Sequence, residues 1–290
     1  MPEPCPLCKS PDVRVEYELT GYRIAECAAC RFEYHDSFVG GGGDDEMFSE
    51  AYYRERHRDA FEAQFDDYTR DPSAPVFNRW LERIEQTIPK GRILDVGSAL
   101  GTFLKIAEGR GWTPQGVEIS RFAAQFAREK RGLSVFNGDL EQFSGSAGGE
   151  SGWFDAVTFW DSIEHVTHPR ENLITGVRLL RRGGVMLLTT DNFDCLVADV
   201  ARMAYRLSLG RVRYAMERVF IAPNRSFFTE ATLRALLESC GLRVVVLEKM
   251  EYPLDKIKTD VVERLILQGF YAAAHLLNRQ AQVTVVAEKT

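Results

Sequence analysis

Short apolar runs alternate along most of the chain with stretches whose apolar residues recur every three or four positions, the pattern of strands interleaved with helices packed on a sheet. The runs are Ile93–Val96, the strand of GVEIS ending at Glu118, Leu133–Phe136, a buried run ending at Trp160, Val185–Thr190, Leu242–Leu247 and Val283–Ala287. Trp80, Ile84 and Ile88 predict an amphipathic helix leading into the first strand. Phe103, Leu104 and Ile106 predict the next, and Phe122, Phe126 and Ala127 another, with Ser120 as N-cap. A helix from Pro169 carries Leu173, Val177 and Leu180 and is closed by RRGG, with Arg181 and Arg182 in its last turn. Thr229 caps a helix bearing Leu233, Leu236 and Leu237, and Val261–Leu277 forms the last. Seven strands alternating with helices predict a doubly wound α/β sheet.

The N-terminus follows another rule. Val13, Val15, Tyr17 and Leu19 alternate with polar residues and Tyr22–Ala25 pairs back, a hairpin set between CPLC and CAAC. Cys5, Cys8, Cys27 and Cys30 form C-x2-C-x18-C-x2-C, the spacing of two knuckles presenting four thiolates to one zinc. Two disulfides or a redox CxxC are the competing reading. The first residues lack a charged segment followed by an apolar one, so a cytoplasmic chain is expected, and there zinc is favoured over disulfides. Four protein ligands leave no open position, so the metal is expected to be structural.

Gly40–Glu46, GGGGDDE, reads as a hinge. The expected organisation is a ribbon at 1–39, linker and lid helices at 40–75, and a catalytic domain at 76–290 with an insertion at about 192–226. In the linker, Phe61, Phe65 and Tyr68 lie at helical spacing, as packed helices or as a lid bringing Tyr52 or Tyr53 over a ligand, and His57 sits in a charged run. The insertion carries Arg202, Arg206, Arg211, Arg213, Arg218 and Arg225 around Met and Tyr residues, either a cap for an anionic ligand or a solvated helix face. The net charge of −6 gives no general attraction to nucleic acid. Val261–Leu277 contains Glu263 and Arg264 and is short for a membrane span, leaving only weak peripheral membrane contact.

The chemistry concentrates in GRILDVGSALGTFL. Gly97 and Gly101 let the backbone turn tightly against a ligand between strand and helix, and Glu118 ends the next strand at the distance where an acidic residue reaches ribose hydroxyls. G-x-x-x-G after an aspartate, rather than G-x-G-x-x-G, argues against a NAD-dependent dehydrogenase. His165, four residues beyond Asp161 in DSIEHV, has a side chain suited to take a proton near neutrality, with Glu164 to orient or replace it. The competing reading gives both residues a capping role in the turn.

LDVGSALGTFL, GVEIS, GDL, FWDSIEHVTHP, LLRRGGVMLLTT and RSFFTEATLRALLESCGL, in this order, resemble a class I S-adenosylmethionine-dependent methyltransferase from about residue 76 onward. Ribbon and linker resemble the subset of that superfamily with an N-terminal zinc module, several members of which modify sugars or other small metabolites. The resemblance implies a seven-stranded Rossmann-like methyltransferase sheet preceded by a small zinc ribbon. It also implies that Asp95, Gly97 and Gly101 shape the methionine site, Glu118 holds the ribose, Asp139 and Leu140 contact adenine, and Asp161 closes the site beside the methyl group. Ala99 stands where the family often has a third glycine. A small-molecule acceptor methylated at oxygen or carbon is the expected substrate, against an RNA or protein acceptor gripped by the ribbon, or a non-catalytic binding module.

Overall fold

The computed structural model describes residues 3–36, 49–51, 53, 67–146, 148–221, 223–252 and 261–290. The Gly40–Glu46 break, Tyr52, His57, Phe61 and Phe65 lie outside the described residues.

The N-terminal alternation forms β1 (Val13–Glu18), antiparallel to β2 (Arg23–Cys27), which pairs with β3 (Glu33–His35). Helix α1 (Ala74–Thr87) takes Pro75 into its first turn and buries Trp80, Leu81 and Ile84. Then come β4 (Arg92–Val96), α2 (Thr102–Gly109), β5 (Thr113–Glu118), α3 (Arg121–Arg131), β6 (Val135–Asn137), the short α4 (Leu140–Ser144) and β7 (Phe154–Trp160). Ser120 caps α3 as expected, its hydroxyl accepting from Ala123 N–H at 3.3 Å. A 3-10 turn (Ile163–His165) leads to α5 (Pro169–Leu179) and β8 (Leu180–Asp191). The rest is α6 (Leu196–Leu207), α7 (Tyr214–Val219), β9 (Ser226–Phe227), α8 (Glu230–Ser239), β10 (Leu242–Met250), α9 (Val261–Leu276) and β11 (Gln282–Lys289). Thr229 caps α8 in a reciprocal box with Thr232.

The predicted seven-stranded sheet is present, in the order β10-β11-β8-β7-β4-β5-β6. β4 to β8 are parallel, and β11 runs antiparallel to both its neighbours. Parallel strands are covered on both faces, which is why they read as continuous apolar runs. No described helix is long and apolar enough to cross a membrane.

Two expectations are corrected. Leu180, Arg181 and Arg182 belong to β8, not to the end of α5. Leu180 pairs with Phe154, and Arg181 Nε reaches Asp155 Oδ1 at 2.6 Å across the ladder, so sheet pairing overrides a helix-stop pattern. The third strand begins at Val135 rather than Leu133, whose side chain turns into the core.

The ribbon does not close on itself. β9, from the insertion, adds a fourth strand beside β3, and Tyr17, Leu19 and Ile24 share an apolar cluster with Phe193, Ala201, Met216, Phe220 and Phe227. The aromatic rings of that cluster pack edge-on and tilted, 4.8–5.6 Å between centroids.

Candidate active site

At the carboxyl end of β4 the chain reverses through Gly97, whose φ is 80°, and Gly101, whose φ is 81°. Gly97 and Ser98 N–H donate to Val117 O at 2.8 and 3.1 Å, pinning the turn to β5. A Cβ on Gly97 would stand 2.7 Å from Ser162 Cβ, and one on Gly101 would stand 2.5 Å from Leu133 Cδ1. Both positions therefore require glycine for conformation and for space. Ser162 Oγ donates to Val96 O at 2.7 Å, so the loop after β7 closes over the same turn.

Ala99, in the place of the third glycine, takes φ 47°. Its N–H donates to Glu118 Oε2 at 2.7 Å, and Ser120 N–H donates to Oε1 at 2.8 Å. The position carries a side chain at positive φ, and its backbone N–H is held by Glu118. Glu118 is buried, which raises its pKa, and these N–H groups pull against that rise. Asp95 is also buried, accepting from Thr158 Oγ1 at 2.7 Å, and burial first, then Glu118, pushes its carboxyl up to about 7. Asp139 caps α4, accepting from Gln142 N–H at 2.7 Å, with Leu140 buried beside it. Tyr53 is buried against Leu100, Ala123 and Phe126, with Ala99 alongside.

The carboxyl ends of β7 and β8 form the facing side. Asp161 takes φ 46°, a conformation that costs a non-glycine residue, and its N–H donates to Thr189 O at 3.0 Å. Gln282 Nε2 reaches Asp161 Oδ1 at 3.2 Å. Glu164 is buried, with Oε2 meeting no hydrogen-bond partner among the described residues. Burial, then Asp161 and Asp191, raise its pKa well above the usual carboxylate range. His165 is only partly buried, and its Nδ1 lies 3.0 Å from Pro223 O. A carbonyl only accepts, so Nδ1 carries the hydrogen and Nε2 is the basic nitrogen of the neutral ring.

The sequence reading missed Asp191, Asn224, Tyr252 and Gln282. Asn224 Nδ2 donates to Asp191 Oδ2 at 2.9 Å, and the Tyr252 hydroxyl donates to Oδ1. A carboxylate ending the strand next to β7 was the available signal, since ligands in doubly wound folds bind beyond the carboxyl ends of strands.

The insertion's arginines divide. Arg202 pairs with Glu33 at 2.6 Å and donates to Phe193 O, and Arg206 reaches Glu16 at 3.1 Å, so both hold the ribbon. Arg225 donates to Thr167 Oγ1, while Arg211, Arg213 and Arg218 are exposed. A cavity of about 550 Å³ lies where the ribbon meets α6 and α8, lined by Tyr17, Glu33, Arg202 and Arg206 among others, and by none of the residues expected to hold the cofactor.

In the ribbon, the four cysteine Sγ atoms lie within 4.8 Å of one another, with Cys5–Cys30 at 3.6 Å and Cys8–Cys27 at 3.5 Å. Zn–S bonds of about 2.3 Å in a tetrahedron place the sulfurs about 3.8 Å apart, so the cluster fits that ion. The knuckles match: Lys9 and Arg31, each just after the second cysteine, take φ 61° and 63° and donate N–H to Cys5 O and Cys27 O. All four thiols are free.

A parallel sheet of this order, with a glycine turn and an acidic residue ending the next strand, defines a class I S-adenosylmethionine-dependent methyltransferase. Residues 67–247 match the family described as "Methyltransferase domain", and the chain belongs to it. The ubiquinone biosynthesis O-methyltransferase of Thiobacillus denitrificans is 27% identical over 188 residues, 63% of this chain and 78% of that protein. The mitochondrial protein of that name from Schizosaccharomyces pombe is 31% identical over 34% of this chain and 37% of its own. Among solved structures, a SAM-dependent methyltransferase from Archaeoglobus fulgidus shares the fold with TM-score 0.54 at 19% identity, over 79% of this chain and 99% of that one. Phosphoethanolamine N-methyltransferase 2 of Haemonchus contortus, solved with S-adenosyl-L-methionine, has TM-score 0.60 at 14% identity, over 86% of this chain and 60% of that one.

Proposed function

We propose that the chain methylates a hydroxyl oxygen of a small molecule, with His165 as general base. The observation that carries this reading is the 3.0 Å contact of His165 Nδ1 with Pro223 O, which leaves the basic nitrogen on a partly buried ring four residues beyond Asp161. The O-methyltransferase names of the curated relatives support oxygen over carbon as the acceptor atom. When bound, S-adenosylmethionine supplies a methyl group already activated by its sulfonium. The protein's part is therefore to align the acceptor, exclude water and take its proton.

Asp95, Gly97 and Gly101 hold the methionine portion, Glu118 the ribose, and Asp139 with Leu140 the adenine. Asp161 closes the site, and Tyr53, packed beside the turn, covers it. Glu164, buried and next to His165 in the chain, orients the histidine. Cys5, Cys8, Cys27 and Cys30 hold one structural zinc, in a ribbon at 1–39 preceding the catalytic domain at 76–290. Arg202 and Arg206 are engaged by the ribbon, which removes them as ligands for an anionic acceptor.

Methyl transfer from labelled S-adenosylmethionine to a panel of phenols, sugars, amines and RNA tests the reading. Label on a hydroxyl compound, lost after blocking of that hydroxyl, is the expected result. Label confined to amines or RNA contradicts it.

A further inference from the structure

Helix α6 is apolar on two opposite faces. Ala198 and Ala201 are buried, while Val197, Val200, Met203 and Leu207, recurring at three- and four-residue intervals on the other side, are exposed, Leu207 to 79%. After α6 the chain makes a tight turn, with Gly210 N–H on Tyr205 O at 2.9 Å and Val212 N–H on Ser208 Oγ at 2.9 Å. Leu209 takes φ 53° at this turn, and its side chain is 85% exposed. Val212 and Tyr214 follow, also exposed.

This segment is not loose chain awaiting a core. Its inward residues, Met216 and Phe220, are already buried against Tyr17, Ile24 and Phe227, and its ion pairs to the ribbon are made by Arg202 and Arg206. The outward residues are surplus to that packing. Leu276 and Leu277, also exposed, immediately precede Asn278 and Arg279, and Arg279 is bound to Asp199 of α6. Exposed apolar patches of this kind mark interaction sites.

Charge selects the partner. Beyond Arg206, which is spent on Glu16, residues 207–218 hold three arginines against Glu217 alone, in a chain whose net charge is −6. Arg211 and Arg213 alternate with Val212 and Tyr214, so each apolar residue has a cation beside it. A folded protein partner would need carboxylates and apolar sockets in the same register. An anionic bilayer meets both at once, with acyl chains for the leucines and phosphates for the guanidiniums.

We propose that the outward face of α6 and the turn after it docks on the surface of an anionic phospholipid bilayer. Leu207, Leu209 and Tyr214 enter the boundary between headgroups and acyl chains, and Arg211, Arg213 and Arg218 pair with lipid phosphates. No described helix is long and apolar enough to cross a membrane, so the contact is interfacial. None of these residues is assigned to methyl transfer, so docking on a bilayer is independent of that assignment.

Co-sedimentation of the full chain with vesicles of equal parts phosphatidylcholine and phosphatidylglycerol tests this, with phosphatidylcholine vesicles as reference. Binding to the mixed vesicles is expected to exceed the reference about tenfold or more and to fall with added salt. Leu207→Ser with Leu209→Ser, and separately Arg211→Glu with Arg213→Glu, should each reduce binding about tenfold with thermal unfolding unchanged, since these side chains are exposed. No binding to mixed vesicles, or binding unaltered in both double variants, overturns the proposal. So does a dimer, abolished by the leucine substitutions, in a protein that ignores vesicles, because the face would then belong to a second copy of the chain.

Discussion

The glycine turn and the ribbon are held together by opposite means. The turn rests on backbone geometry: two glycines at positive φ, a buried carboxylate accepting N–H groups from its own loop, and strands whose pairing fixes everything around it. The ribbon has three short strands of its own and a four-cysteine cluster, and borrows the rest from a segment far along the chain. Ala99 and Glu118 are 19 residues apart, whereas Arg202 and Glu33 are 169 apart. Damage to the turn should therefore appear as lost ligand affinity, and damage to the ribbon as lost stability.

Arg225 links the ribbon to the 3-10 turn after β7. Arg225 O accepts from His35 N–H of the ribbon at 3.1 Å, and Arg225 N–H donates to Glu164 O at 2.7 Å. With Pro223 O on His165 Nδ1, the insertion contacts both Glu164 and His165 of the 3-10 turn while pairing with the ribbon. A perturbed ribbon should lower turnover more than cofactor affinity.

The largest effect is expected from the metal cluster. Cys27→Ser should abolish stoichiometric zinc and the ribbon's protection from amide exchange, as measured by metal analysis and hydrogen exchange, while β4 and β5 stay protected. Equal loss of protection in both regions would erase the distinction between them. Next is Arg202→Met, which leaves Glu33 buried without its partner and should cost about 3–5 kcal/mol in denaturant unfolding, with S-adenosylmethionine affinity unchanged. Glu118→Ala should weaken calorimetric affinity by about one to two orders of magnitude, roughly the loss of two charge-assisted hydrogen bonds, and also loosen the turn, since Ala99 and Ser120 N–H lose their acceptor.

A pH-dependent effect concerns Asp95. Its folded pKa of about 7 lies above the ordinary value of 3.8, so its contribution to stability is complete below about pH 4 and is lost as pH rises through 7. Asp95→Asn keeps an acceptor for Thr158 but cannot ionise. Its melting temperature relative to the wild type should therefore climb between pH 5 and 8, and a constant difference would show that Asp95 does not titrate there.

What the sequence disclosed tracks this division. The strand, turn and helix around Gly97, the caps at Ser120 and Thr229, and both cysteine knuckles are written within a few neighbouring residues, and each was legible. The union of ribbon and insertion was not. β9 is two residues long, too short for any alternation, and the partners of Arg202 and Arg206 lie on strands whose polar positions look merely solvated. Arg181 and Arg182 before two glycines imitate a helix end, and only the pairing of Leu180 with Phe154 shows them to be strand. Asp191, Asn224 and Tyr252 come from three separate stretches, so their convergence exists only in the folded chain.

The central claim, that His165 takes the acceptor's proton at a site whose cofactor half is built independently, is tested most directly on one His165→Gln preparation. Turnover with an identified hydroxyl acceptor and calorimetric S-adenosylmethionine affinity are measured together. A fall in kcat of about 10² to 10⁴ with affinity nearly unchanged is expected, together with a wild-type rate that declines as pH drops below neutrality. Near-normal turnover in the variant, with a wild-type rate flat from about pH 5 to 8, would contradict that claim and leave His165 a residue that only positions the loop.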